Sequence, residues 1–229
     1  EMNKAKLEVV YEKLWLAFIY APRFHPVFKN FAQSRRELGE KTIFNLLGPL
    51  LNPADPLFQI IGTSSEKDMR MIAEAAKLLA KKRVLVLSGS DGLDELTLTG
   101  TTSVMELKNG KIESYTLAPQ DFGFEPVEFV EIQGGDAAFN IKTAYEILTG
   151  GCKKEHLKLV LANAALALKF LGKVADYKSG VALASNAIQK GAAQKLLHSY
   201  RQFSHVPDIL LKITEEKRRE VERLKKEMP

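Results

Sequence analysis

The sequence predicts an α/β fold, a mostly parallel central sheet flanked by helices. Three observations predict it. Residues 57–62 and 83–88 are short apolar runs of strand length with a helical pattern between them, and strand–helix–strand order makes parallel neighbours. Residues 101–108 and 111–117 read as the two strands of a hairpin, because Asn109-Gly110 between them suits a type I′ turn. From residue 136 onward three helical patterns follow, and no internal repeat or low-complexity segment interrupts them.

The elements are expected in this order. Residues 3–18 form a helix with Leu7, Val10, Leu14 and Phe18 on one face. Ala21-Pro22 breaks it, and a second helix runs over 23–38 until Gly39 stops it. Residues 42–53 hold two prolines and a glycine in an apolar run, which suits a buried irregular loop better than a helix or a central strand. After the strand at 57–62, Thr63 and Glu66 form a capping box. The helix they open places Met69, Ile72, Ala73, Ala76, Leu79 and Ala80 together. Asp136 caps a helix reaching Thr149; a phosphate loop at Gly134-Gly135-Asp136 is the alternative reading. A helix over 154–171 gathers Leu157, Val160, Leu161, Ala164 and Leu168, and another covers 176–198. From Pro207 the chain is a charged helix whose stripe, Leu210, Ile213, Val221 and Leu224, is too narrow for a core.

Composition sets outer bounds. The 229 residues are 45% hydrophobic and 27% charged, as in a soluble globular protein. No apolar run approaches the ~18 residues of a membrane span. Glu1–Lys6 has no apolar signal core, so a cytoplasmic location is expected. The single cysteine, Cys152, excludes an intrachain disulfide and a cysteine-based metal cluster, and reads as a packing residue. The net charge of +5 raises nucleic acid as a ligand. Yet residues 208–229 carry seven Lys and Arg against six Asp and Glu, so the densest basic stretch is nearly neutral. An anionic small substrate explains the excess equally well.

Four segments carry a family likeness. They are Ala21-Pro-Arg-Phe-His-Pro26, the stretch from Arg35-Arg-Glu-Leu-Gly39 to Phe44-Asn-Leu-Leu-Gly-Pro-Leu-Leu-Asn-Pro53, Ser90-Asp-Gly-Leu-Asp-Glu95, and Gly134-Gly-Asp136. In order and spacing, over roughly residues 9–197, the chain resembles the anthranilate phosphoribosyltransferases. The resemblance implies a nucleoside phosphorylase/phosphoribosyltransferase-type α/β domain beside a small helical domain, with the substrate site between them. Residues 1–40 would then be helices of the helical domain and hinge, 41–203 a partial α/β domain, and 204–229 a charged helical tail. It also implies the reaction, in which the amine of anthranilate attacks the anomeric carbon of phosphoribosyl pyrophosphate and pyrophosphate leaves, within tryptophan biosynthesis.

Such a reaction needs cations at the pyrophosphate and a grip on the nucleophile. Asp94 and Glu95 are adjacent acids just beyond an apolar strand, where open α/β sheets bind ligands. Mg²⁺ binds through one or two carboxylates plus phosphate oxygens and water. From spacing alone an acidic surface turn is the stronger reading; the resemblance makes Asp94 and Glu95 the metal ligands, with Asp91 as an alternative. His25, Phe28, Ala32 and Arg35 are spaced to share one helical face, which alone reads equally as a core stripe with a snorkelling arginine. The resemblance implies that these residues, with Pro22 before them, line the anthranilate route. Arg35 then holds the carboxylate through paired hydrogen bonds, Arg36 is the runner-up, and residues 45–53 shape the wall.

The chain also departs from the family pattern. Its Gly-Thr-Gly-Gly-Asp phosphoribosyl loop and its Lys-His-Gly-Asn stretch are not in this sequence. Trp15 stands where members carry a glycine, so the helix junction is expected to repack. The tail from Asp208 to Glu222 resembles the first helix of indole-3-glycerol-phosphate synthase, which suggests a fused two-enzyme polypeptide. Expected partners are therefore anthranilate, phosphoribosyl pyrophosphate, a family homodimer, and association with an N-terminal segment or an indole-3-glycerol-phosphate synthase domain; nucleic acid and membrane are not expected. Alternatives are a catalytically inactive fragment or interaction module of the same fold, and a pyrimidine-nucleoside phosphorylase.

Overall fold

The structure, a computed structural model, describes residues 2–27, 37 and 43–205, without the side chains of Pro22, Ile43, Phe44, Asn45 and His205. It divides into two compact units. The smaller takes its described residues from 2–27 and 192–205; the larger comprises the described part of 30–191. The tail beyond residue 205, with its expected stripe, lies outside the described residues.

In the smaller unit, Asn3 caps helix α1 (Lys4–Leu14) by accepting the Lys6 N–H at 2.9 Å. Leu7 and Val10 are buried, and the Lys6 ammonium donates to the Ser204 carbonyl at 2.9 Å on the last described helix. The helix expected over 3–18 ends at Leu14. Trp15 takes the left-handed conformation, φ 56°, while its N–H closes onto the Tyr11 carbonyl at 2.8 Å. This is the C-terminal geometry that glycine adopts at least cost. The indole stays 79% exposed, edge-on to Tyr11, so it does not repack the junction as expected. Phe18, expected on the apolar face, is also exposed. Helix α2 (Ala21–Phe24) starts with proline in its first turn and stops at His25, whose φ −125° and ψ 63° are not helical. The helix expected over 23–38 is therefore interrupted at its third residue.

The larger unit begins with a correction. Helix α3 (Ile43–Leu50), not an irregular loop, occupies the segment with Gly48 and Pro49. Pro49 comes in the final turn, where a missing N–H removes only one intrahelical bond. Strands β1 (Phe58–Gly62) and β2 (Arg83–Gly89) pair in parallel across helix α4 (Glu66–Leu78). Ser65 caps that helix, accepting the Asp68 N–H at 3.2 Å; the expected Thr63–Glu66 box does not form. Thr63 instead donates its hydroxyl to the Ser65 carbonyl, and Glu66 accepts from Ser103. Met69, Ile72, Ala73 and Ala76 are buried as expected, whereas Leu79 and Ala80 lie past the helix end and are exposed.

Strands β3 (Thr102–Lys108) and β4 (Lys111–Leu117) make the hairpin, with positive φ at both Asn109 and Gly110 as a type I′ turn requires. Sheet order is β1-β2-β3-β4. Only the β1–β2 pairing is parallel; β2–β3 and β3–β4 are antiparallel. Among the described residues the mostly parallel expectation thus applies to that one pair.

Both faces of β2 are covered. Leu85 and Leu87 point into a core with Leu96, Leu98, Phe122, Leu159, Ala162 and Leu166. Val84 and Val86 point the other way, to Ile61, Met69, Ile72 and Ala76. Helices α5 (Phe129–Ile132), α6 (Ala137–Thr149) and α7 (Lys154–Phe170) follow. Asp136 caps α6, accepting the Phe139 N–H at 2.8 Å, so the cap reading of that segment is the right one. Helix α7 buries His156, Leu159, Leu161, Ala162, Ala165, Leu166 and Phe170; of the face expected, only Leu161 is buried. The segment expected as one helix over 176–198 is two, α8 (Tyr177–Gln189) and α9 (Ala192–His205), separated at Lys190 and Gly191. No described helix is long and apolar enough to cross a membrane.

One polar cluster crosses the sheet toward the start of β2. The Arg83 guanidinium pairs with Glu106 at 2.7 Å and lies 4.7 Å over the Phe170 ring, and Tyr115 donates to Glu106 at 3.2 Å. Burial, with Tyr177 and Glu106 alongside, pushes the Tyr115 phenol well above its ordinary pKa. Replacing Glu106 with Ala leaves the guanidinium without its carboxylate and removes one hydrogen bond of the phenol, and the expected cost is about 1–3 kcal/mol in urea unfolding. The second test is at Trp15. Trp15→Gly is expected to raise stability by roughly 0.5–1 kcal/mol through relief of the left-handed strain. A lower melting temperature in this variant would refute the strain argument.

Candidate functional site

The parallel strands β1 and β2 end side by side, and the loop after β2 carries three acids, Asp91, Asp94 and Glu95. The loop folds on itself. Gly89 N–H donates to the Leu93 carbonyl at 2.9 Å, and Ser90 N–H to the Thr101 carbonyl at 2.9 Å. Leu96 and Leu98 then drop into the core, pinning the far side of the loop.

Asp91 is the internal hub. One oxygen accepts the Leu93 N–H at 3.1 Å; the other accepts the hydroxyls of Thr97 at 2.5 Å and Thr99 at 2.7 Å. Burial opposes its ionisation, but those hydroxyls and the Leu93 N–H together hold the carboxyl below its ordinary pKa. Both oxygens are engaged within the loop, so Asp91 anchors its shape.

Asp94 and Glu95 are the two that face out, and both are exposed. Burial of the carboxyl, then the neighbouring charges of Asp94 and Asp91, push the Glu95 pKa up. No lysine or arginine among the described residues pairs with either. Uncompensated negative charge at a strand's carboxyl end is what a divalent cation would relieve. The described residues contain no group of three or more acids, histidines or cysteines able to cage a metal alone. The donor set fits an oxygen-seeking ion that takes its remaining ligands from substrate and water. Glu95 also borders a cavity of about 270 Å³, otherwise walled by groups such as Leu93, Phe129, Phe139, Asn140 and His156.

The expected anthranilate group is only partly placed. His25 caps α2, its N–H donating to the Ala21 carbonyl at 2.9 Å, so it does not begin a continuous helical face. The backbone of Pro22 is within α2. Its side chain lies outside the described residues, as do Phe28, Ala32, Arg35 and Arg36. Sequence reasoning missed Thr97 and Thr99. Alternating threonines just after an Asp-Gly turn were the available signal.

Comparison with known proteins places the fold in a family. Residues 1–194 match the glycosyl transferase family, a/b domain. The anthranilate phosphoribosyltransferase of Dictyoglomus thermophilum is 42% identical over 187 residues, covering 81% of this chain and 56% of that protein. That of Rhodopseudomonas palustris strain TIE-1 is 43% identical over 182 residues, covering 80% of this chain and 54% of that protein. The chain thus spans just over half the length of these curated relatives. Among solved structures, anthranilate phosphoribosyltransferase from Thermus thermophilus superposes with a TM-score of 0.79 at 34% identity, covering 88% of this chain and 59% of that one. The Saccharomyces cerevisiae enzyme in complex with PRPP and Mg gives 0.81 at 26% identity, covering 90% and 59%. Matched over most of its length, the chain belongs to the glycosyl transferase family, whose a/b domain it carries.

Proposed function

We propose that this chain is the α/β portion of a cytoplasmic enzyme that transfers the phosphoribosyl group of phosphoribosyl pyrophosphate to the amine of anthranilate, in tryptophan biosynthesis. The observation that carries the reading is the outward-facing Asp94–Glu95 pair at the carboxyl ends of β1 and β2, which no cation among the described residues compensates. The relatives' shared name and the yeast neighbour's PRPP and Mg support it.

The residues divide the work. Asp94 and Glu95 would hold Mg²⁺, which when bound neutralises charge growing on the leaving pyrophosphate. Adjacent side chains diverge, so the two carboxylates can serve two ions. Arg35 holds the carboxylate of anthranilate as a bidentate partner and aims the amine at the anomeric carbon. Pro22, His25, Phe28 and Ala32 give that aromatic acid its apolar walls. A homodimer, an N-terminal segment and an indole-3-glycerol-phosphate synthase domain are the proposed protein partners.

The second reading is a module of the same fold that binds anthranilate without turnover. One assay separates the two. The chain is mixed with anthranilate, phosphoribosyl pyrophosphate and Mg²⁺, alone and with the remaining part of a relative supplied in trans, and loss of anthranilate fluorescence is followed. Mg²⁺-dependent turnover is expected in the supplemented mixture. Asp94→Asn and Glu95→Gln are each expected to lower the rate by about 10²-fold or more. Full activity in both variants would eliminate the metal assignment; anthranilate binding with no turnover in either mixture would favour the second reading.

A further inference from the structure

Asp94 and Glu95 are flanked by two contacts that come from outside their own loop. On one side is Gly62, the last residue of β1. A Cβ there would overlap the carbonyl carbon and oxygen of Asp94 and stand 3.2 Å from its Cα. These obstructing atoms are backbone, so no side-chain rotation relieves the overlap. Glycine here marks a close approach of backbone to backbone.

On the other side is Asn163 of α7. Its Oδ1 accepts the Leu96 N–H at 3.2 Å, and its Nδ2 donates to the Leu96 carbonyl at 3.1 Å. The same Nδ2 donates to the Leu159 carbonyl at 3.1 Å, which fixes the amide against its own helix. Asn163 interrupts the apolar run of α7, a place where an amide is costly unless both its ends are bonded. Here both are bonded, and to the residue immediately after Glu95. Neither contact involves Asp91, so they act in addition to the loop's internal bonds.

We propose that Gly62 and Asn163 are positioning residues, which hold the backbone of residues 94–96 from the strand side and the helix side and so preset the two carboxylates for a divalent cation. The proposal rests on the reading of Asp94 and Glu95 as the cation ligands. Partners that orient metal ligands without touching the metal typically govern about 10- to 100-fold in affinity. Rigid elements at both ends give the better precision.

The test uses Mn²⁺ as the probe on the purified chain, its free concentration read by electron paramagnetic resonance. Thermal melting is recorded in parallel. Gly62→Ala and Asn163→Ala are each expected to weaken Mn²⁺ binding about 10-fold or more, toward the level of Asp94→Asn. Glu106→Ala, which lowers stability away from this loop, is expected to leave Mn²⁺ binding unchanged. Equal binding by the unsubstituted chain and Asp94→Asn would overturn the ligand reading, and the proposal with it. Loss in Asp94→Asn alongside full affinity in Gly62→Ala and Asn163→Ala would overturn the positioning proposal alone. Should Gly62→Ala fail to fold, Asn163→Ala decides by the same criterion, since it removes hydrogen bonds and introduces no overlap.

Discussion

Strand β2 can be almost wholly apolar because both of its faces are covered, and the α/β unit is arranged around that fact. Leu85 and Leu87 supply one core; Val84 and Val86 supply the other. The two cores differ in character. One takes Met69, Ile72, Ala73 and Ala76 of α4; the other takes Phe122 and the larger side chains of α7. A slip of one residue in the β1–β2 register would send each set to the wrong core, so the alternation fixes the register. With the register fixed, the positions at which β1 and β2 end are fixed as well. The loop that carries the acids therefore inherits its starting point from core packing.

Where β2 ends, the chemistry changes within a few residues. Arg83 at its first position is neutralised by Glu106, while beyond Gly89 three carboxylates follow, and among the described residues no cation pairs with the outer two. The fold deals with this charge in two ways. Asp91 is surrounded by hydroxyl and amide dipoles, which stabilise its charge and shape the loop. Asp94 and Glu95 stay in contact with water, where screening limits their repulsion. Partial burial of the Glu95 carboxyl, and after it the charges of Asp94 and Asp91, hold its proton more tightly than that of an ordinary glutamate. A loop that needed only to be stable would not keep that arrangement, since one lysine in place of either acid would remove it.

Legibility in the sequence followed how local the determining physics is. The hairpin was readable because Asn109-Gly110 settles its turn within two residues. The Asp136 cap was readable because a cap is a three-residue interaction. Both parallel strands were readable from apolar runs. The face of α7 was not, because its run is apolar on most sides and only the tertiary fold selects Leu159, Ala162 and Leu166 over Leu157, Val160 and Leu168. The capping box at Thr63 lost to Ser65 by two positions, since both residue types cap and the strand end decides which is free to do so. At the site the same division holds. Asp94 and Glu95 were legible only as adjacent acids beyond a strand, which alone reads as an acidic surface turn; the family resemblance is what made them candidate metal ligands. Asn163 and Gly62 were not legible, because 67 residues separate Asn163 from Leu96 and nothing in the run around it indicates a partner.

With this donor set, a bound metal would not be what shapes the loop. A structural metal site draws most of its ligands from the protein, and such a domain loses its fold when the ion is removed. Two outward carboxylates are too few for that. Magnesium bound here would complete its shell with phosphate oxygens and water, so its affinity would depend on the phosphate ligand, and by reciprocity the phosphate's affinity on the ion. An ion held so loosely cannot also shape its own site. The shape must come from the protein: from Thr97 and Thr99 on Asp91, from Leu96 and Leu98 in the core, and from a strand end with room for the Asp94 peptide.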